Sequence, residues 1–480
     1  MDIKRTIEDF VRDIRVAYLE TFPVMSIDYK HGFEVGQYKN TVEMWIGELE
    51  RVNGENPTYD EWREILSGMS VTQCGALALF HYTSFDVIYG DWDPVQYWNA
   101  YGGIYRTCRS TVIDLYTGNT VIKPFDKFFN VNELPETSQE EVEKLISNAT
   151  SIEISDKLDG SIVCASCRIV SDYRGTYPEV YICTSQSLDP ETSWHLELAE
   201  DMYDNSNGIK IMVRTHENWT FMFEMISKKD AHVVYYPESE EGLHLIGARD
   251  DKGRLLKYSE IISLAERYDV KTTRVFDKTF EQVMSELDDK KSDEAEGFVI
   301  RIDDEFFKLK YNDYVAMHKA INRLVSASVV IEAYKDGKID DLLSKVPISY
   351  KEKVTEIVND IKKCISSVNT VTGYAERECG KIPEFKDKMI WVQNRVPKML
   401  RGFCIDAVKG NPVSIFRGNR VLKLSGIRTL LSVASDYAKE NIHRPDNPYY
   451  GNHTGIVCDD NGEFMNFGHD SGHSDETLNY

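Results

Sequence analysis

A chain of 480 residues, 42% apolar and 11% aromatic, is longer than one hydrophobic core comfortably serves and reads as a folded protein of about three domains. No opening apolar stretch has the form of a signal peptide and no run is long enough to cross a bilayer, so a cytoplasmic, membrane-free setting is expected. The net charge of −23 argues against a surface that binds polyanions throughout, but residues 351–430 carry 16 Lys and Arg against 8 Asp and Glu, a net of +8 that leaves −31 elsewhere. That basic stretch fits either a module that docks RNA or an ordinary charged helical surface. Nine cysteines occur singly apart from Cys164 and Cys167, a pattern of reduced, intracellular thiols. The pair lies in an apolar strand with no second pair at zinc spacing, so core filling is expected of it.

The chain opens with an amphipathic helix in which Ile7, Phe10, Val11, Ile14 and Tyr18 share one face. Helices follow over 42–49 and 58–66, and residues 68–88 read as a helix and then a strand. No chemistry attaches to these first hundred residues, and packing against a core is their expected role. From Gly102 the pattern turns to short strands, with Val112–Leu115 and Val121–Ile122 flanking a hairpin turn. Arg109 lies on this strand, and a guanidinium there is suited to multidentate phosphate contact. Lys127, Phe128 and Phe129 follow in an aromatic-basic box, and one of the two phenylalanines is expected in the core.

After a helix over 138–149 comes Ser155-Asp156-Lys157-Leu158-Asp159-Gly160-Ser161, which sets a lysine at the junction of two apolar, strand-like runs. Read alone, it is a surface hairpin turning on Asp-Gly. Read chemically, an amine kept unprotonated by burial and neighbouring cations attacks an activated phosphate. Four later signals favour the second reading. Glu224 sits inside the apolar strand 220–226, where a carboxylate needs a partner and suits ribose hydroxyls or a cation. Residues 242–249 alternate as a strand, with His244 read as structural. Glu296 ends a charge run and begins a strand, placed to coordinate Mg2+ beside phosphate oxygens. Lys308 and Lys310 share one strand face and would repel each other unless an anion such as a triphosphate lay between them.

In this order the lysine, the buried glutamate, the glutamate-glycine strand and the Lys-x-Lys strand resemble the motifs of the covalent polynucleotide ligases and capping enzymes. With Thr107-Cys108-Arg109-Ser110 and Lys127-Phe128-Phe129-Asn130 upstream, the chain most resembles ATP-dependent RNA ligases of the bacteriophage tRNA-repair type, the RNA ligase 1 family. The similarity covers roughly 100–320 and continues faintly over helices to about 425. It implies an α+β fold: a nucleotidyltransferase (ATP-grasp-like ligase) core of antiparallel sheets with flanking helices, and a mostly helical carboxyl-terminal domain. The expected divisions are 1–100, 101–324, 325–430 and 431–480. It also implies Lys157, Glu296, Lys308 and Lys310 as catalytic residues and nucleotide contacts from Arg109, Lys127, Phe129, Asp159, Gly160 and Glu224 as well as the two later lysines. Phe129 would stack near the base, and Glu296 and Glu224 would hold Mg2+, with Mn2+ as a substitute.

The implied substrates are ATP and RNA bearing a 5'-phosphate and a 3'-hydroxyl, including nicked tRNA. A monomer is expected, in the host cytoplasm if a phage encodes it. The Lys157 amine is expected to be deprotonated with the help of Lys308, Lys310 and the metal. Leu158 departs from a glutamate in the well-known member, and Ser185-Gln186-Ser187 lacks the basic residue its relatives tend to carry. A DNA ligase, a capping guanylyltransferase and a non-catalytic RNA-binding relative are the alternatives. The carboxyl-terminal His443, His453, His469 and His473 are too loosely spaced to suggest zinc ahead of irregular surface loops.

Overall fold

The structure, a computed structural model, describes residues 3–25, 38–83, 93–172, 175–416 and 423–442. The four carboxyl-terminal histidines lie outside them. The chain divides into two compact units between His318 and Lys319.

Thr6 and Asp9 cap each other's backbone reciprocally and start helix Ile7–Thr21. Its stripe of Ile7, Phe10, Val11, Ile14 and Tyr18 is buried as the periodicity predicts. Helices Thr41–Asn53 and Pro57–Ser67, begun by Asn40 and Asn56 side-chain caps, complete that core with Trp45, Ile46 and Trp62. Residues 69–82 differ from the expected helix and strand. They form a hairpin of β1 (Met69–Cys74) and β2 (Leu77–Tyr82), because Val71 and Thr72 favour extended backbone and Gly75 turns the chain at φ +58°. With β3 (Arg109–Asp114) and β4 (Thr120–Ile122) they make an antiparallel sheet in the order β1-β2-β3-β4.

Two further sheets share the unit. One contains β5 (Phe129–Asn130), β6 (Ile152–Lys157), β11 (Val275–Phe276), β12 (Gly297–Ile302) and β13 (Glu305–Lys310), in the order β11-β6-β12-β13-β5. The other runs β10-β9-β7-β8, from β7 (Ser161–Asp172), β8 (Gly175–Thr184), β9 (Thr220–Ile226) and β10 (Gly242–Arg249). Apart from the β5–β13 pair every pairing is antiparallel, and helices cover the outer faces. Leu79, Val112, Ile122, Cys164, Met222 and Phe306 come from all three sheets and form one core between them. Cys164 faces Cys183 across β7 and β8, both wholly buried, as expected of a core filler. The chain passes from β6 to β7 through residues 158–160, so Lys157 ends a strand of one sheet where the next sheet begins.

The second unit is helical throughout its described residues. Its centre is the helix Ile348–Gly380, in which Val354, Ile357, Ile361, Val368, Val371 and Ala375 form one continuous buried stripe. Helices Ala327–Lys335, Arg401–Val408 and Leu424–Asn441 pack on it. No helix among the described residues is long and apolar enough to cross a membrane.

Candidate active site

Strand register builds the site. Across β6, β12 and β13, Lys157 pairs with Gly297 and Gly297 with Lys310, while Ser155 pairs with Val299 and Val299 with Lys308. With a side-chain period of two, these rows lie on one face, and Phe298, Phe307 and Leu309 fill the core behind it. At Gly297 β12 approaches β13 so closely that a Cβ would lie 2.1 Å from the Leu309 carbonyl oxygen. Lys157 Nζ donates to Glu296 Oε2 at 2.6 Å, and Lys310 Nζ lies 2.8 Å from Glu296 Oε1. Glu296 is buried.

A cavity opens over this row. Ile162, Ile246, Phe125, Phe128 and Phe306 form its apolar walls, and Lys157, Glu224, Arg109 and Lys308 contribute its charged groups. Arg109 Cζ lies 4.9 Å and Lys308 Nζ 4.6 Å from the centre of the Phe128 ring, on which both cations rest. Arg109 Nη1 is buried without a hydrogen-bond partner. Burial and the charges of Arg109, Lys127, Lys157 and Lys310 push the Lys308 amine well below its ordinary pKa. Among the described residues neither Arg109 nor Lys308, both half-buried, has an ion-pair partner, so this end of the cavity has the chemistry of a phosphate site.

Several predicted residues occupy different positions from those expected. Phe129 is fully buried in the amino-terminal core, edge-on to Trp98 at 5.2 Å, and Phe128 lines the cavity instead. Period-two alternation allows only one of the two neighbours to face inward, and the parallel pairing of Phe129 with Phe307 selects which. Lys127 donates to Tyr82 Oη at 3.4 Å and rests over the Tyr82 and Trp98 rings. The two later lysines do not share one anion: Glu296 neutralises Lys310, and Lys308 alone faces the cavity. Asp159 holds the lysine loop in place. Its Oδ2 accepts from the Val233 and Val234 amides and its Oδ1 from the Tyr314 hydroxyl. Gly160 lies so close to β9 that a Cβ would be 2.2 Å from the Met225 carbonyl oxygen, and its N–H donates to Glu224 Oε1 at 3.0 Å.

The protonation of Lys157 also departs from expectation. Burial works to lower its pKa, but the negative charges of Glu296, Glu224 and Asp159 outweigh burial and raise it. Lys308 and Lys310 do not prevail because Glu296 lies closer to the amine than either. Burial raises the Glu224 pKa, assisted by the Glu296 charge and opposed by Lys157. Carboxylate oxygens are the donors Mg2+ prefers, but both oxygens of Glu296 are engaged by Lys157 and Lys310, so an ion there would have to displace at least one of these amines. No group of three or more metal-ligating side chains occurs among the described residues.

Sequence reasoning missed two contributors. Phe128 was one of two equivalent candidates, and only strand pairing separates them. His81 carried no signal at all, yet β2–β3 pairing sets it opposite Arg109. Burial and the charges of Arg109 and Lys127 lower its pKa to about 4. The unfolded chain therefore binds a proton near pH 6.5 that the folded chain refuses, and stability must rise with pH between about 4 and 6.5, by up to about 3 kcal/mol. Denaturant midpoints across that window should flatten in His81→Gln. Phe128→Ala should raise the ATP concentration needed for half-maximal reaction, whereas Phe129→Ala should remove about 3–5 kcal/mol of stability. Nucleotide titrations and chemical denaturation of the two variants separate these effects.

Residues 107–315 match the family model described as RNA ligase. This segment, a little under half of the chain, is similar to the RNA ligase family, and it contains Arg109, Lys127, Lys157, Glu224, Glu296, Lys308 and Lys310. Among solved structures the chain is similar to a Naegleria gruberi RNA ligase variant with ATP and Mn, at 21% identity over 41% of this chain and 58% of that one, TM-score 0.30. It is also similar to an archaeal ATP-dependent RNA ligase, at 16% identity over 66% of this chain and 82% of that one, TM-score 0.35. A further Naegleria gruberi variant with AMP and Mn shares 20% identity over 41% and 58%, TM-score 0.28. The chain thus spans a little over half the length of the Naegleria ligase it matches.

Proposed function

We propose that this chain is an ATP-dependent RNA ligase that joins 5'-phosphate and 3'-hydroxyl ends through a lysyl-adenylate. The observation that carries the reading is the Lys157 amine in a cavity whose Arg109 and Lys308 have no ion-pair partner among the described residues. In the proposed first step Glu296 accepts a proton from Lys157 across 2.6 Å. The freed amine attacks the α-phosphorus of ATP. A nitrogen–phosphorus bond forms as the α–β phosphorus–oxygen bond breaks, pyrophosphate departs with the electron pair, and the nitrogen gives its second proton to the departing pyrophosphate, leaving a phosphoramide whose nitrogen is neutral. Arg109 and Lys308 neutralise the charge that gathers on phosphate oxygens in the transition state. An RNA 5'-phosphate oxygen then attacks the same phosphorus, and the Lys157 nitrogen leaves, recovering its proton from Glu296. A 3'-hydroxyl finally attacks the activated RNA phosphate, loses its proton to solvent and expels AMP.

Glu296 and Glu224 would hold Mg2+, or Mn2+ in its place, which when bound neutralises phosphate charge. The enzyme would act as a cytoplasmic monomer. Its basic helical stretch at 351–430 would dock structured RNA, with a nicked tRNA anticodon loop as the preferred substrate, as befits an RNA-repair enzyme. Lys362 and Lys363 are exposed there.

Incubation with labelled ATP or GTP and magnesium, followed by denaturing electrophoresis and a chase with RNA or DNA ends, tests the reading. ATP should label the protein, and 5'-phosphorylated RNA should discharge it. Preference for GTP, or discharge by DNA ends alone, would reject it. Glu at both Lys362 and Lys363 should lower the slope of log affinity against log salt for nicked tRNA by about 1–2. An unchanged slope would remove RNA docking from this helix.

A further inference from the structure

Beside the lysine loop, and outside the cavity lining, a carboxylate and two imidazoles form a cluster that the reaction steps above leave unused. The Asp230 side chain is only 1% exposed, and its oxygens face His195, His232 and Ser161. Its ionic neighbours are His195 Nε2 at 3.4 Å and His232 Nε2 at 3.6 Å, each on a ring about a quarter exposed. His195 comes from helix Trp194–Asp204, and the Trp194 ring stacks on it at 3.7 Å. His232 Nε2 also lies 3.4 Å from the hydroxyl of Ser161, the residue after Gly160. The next two amides after His232, those of Val233 and Val234, are the ones that hold Asp159. One short segment therefore ties both the imidazole cluster and the Lys157 loop into place.

A buried carboxylate is tolerated when charged neighbours neutralise it. Each ring turns Nε2 toward Asp230 and is about a quarter exposed. The acidic groups facing His232 are Asp230, Asp159 and Glu224; burial works to lower its pKa, and these carboxylates, Asp230 foremost, raise it.

We infer that His232, with His195 and braced by Asp230, is the recognition site for the terminal 5'-phosphate of the RNA that accepts AMP. The inference rests on the ligase reading and deepens it. A ligase of this kind must bring two different phosphates to one amine. Arg109 and Lys308 face the cavity and suit the nucleotide, while the imidazole pair lies next to the same loop from outside the cavity. His232 is here a binding residue for the second substrate.

The test measures binding of one oligoribonucleotide in 5'-phosphorylated and 5'-hydroxyl forms to the full chain, alongside protein labelling by ATP. Wild type should prefer the phosphorylated form by tenfold or more, and His232→Gln should lose that preference. His232→Arg keeps a cation at the position and should retain it, an outcome that a purely structural role for the imidazole does not produce. Discharge of pre-labelled protein by 5'-phosphorylated RNA should slow at least tenfold in His232→Gln, through a raised RNA concentration for half-maximal rate. Equal preference in wild type and His232→Gln overturns the inference, as does loss in the Arg variant to the same extent as in the Gln variant. Wild type that labels with ATP yet binds both RNA forms equally overturns this inference alone. Wild type that never labels overturns the ligase reading itself.

Discussion

Lys157→Ala is expected to abolish covalent labelling by ATP, because Lys157 lines the cavity whereas Lys310, the other amine on Glu296, does not. Lys157→Arg abolishes it too, since a guanidinium does not lose its proton at usable pH. Charge without a neutral form is not enough. The raised pKa of Lys157 adds a sign to this prediction. Below that pKa the neutral fraction grows about tenfold per pH unit, so labelling by wild type should accelerate as pH rises from 6 to 8. A label that survives denaturation on Lys157→Ala would place the nucleophile elsewhere, and a rate that falls over that pH range would contradict proton loss from the lysine.

Glu296→Ala removes the acceptor of the Lys157 proton and the counter-ion of Lys310 together. Loss of a positioned general base costs about 10²–10⁴-fold in rate, and the labelling rate should fall by at least the lower figure. Glu296→Gln keeps the volume and a hydrogen-bonding oxygen but cannot take a proton, so it should be nearly as slow. Both variants should also need more Mg2+ for half-maximal rate. Single-turnover labelling across a magnesium titration decides the matter. Full activity in Glu296→Gln would remove the proton-acceptor role, and an unaltered magnesium requirement in Glu296→Ala would remove the metal role.

The difference between Phe128 and Phe129 shows where reading from sequence stops. Both are large, apolar and adjacent, and local pattern assigns each the same prospects. Their fates separate when β5 pairs in parallel with β13, placing Phe129 beside Phe307 against the amino-terminal core. Residues 69–82 teach a related lesson: an apolar, aromatic run of that length satisfies a helix and a strand about equally, and pairing with β3 settles it as a hairpin. The amphipathic helices were legible because the 3.6-residue stripe of Ile7 to Tyr18, or of Val354 to Ile361, reports burial directly.

The sequence by itself determined the order of the chemistry along the chain: Arg109, Lys157, Glu224, Glu296, Lys308 and Lys310, each in an apolar strand-like setting that a charged side chain enters only with a partner. The motifs' resemblance to the ligase family also implied the α+β class and a helical carboxyl-terminal unit, which the fold bears out. Only the tertiary structure decided which partner each charge received. Glu296 meets Lys157 and Lys310 because strand register sets both lysines opposite its neighbour Gly297, while Lys308, two residues along, faces the cavity beside Arg109. The pairing of Asp230 with His195 and His232 was equally hidden. Ion pairing depends on distances of a few ångströms between residues up to 139 positions apart, and no local pattern carries that information.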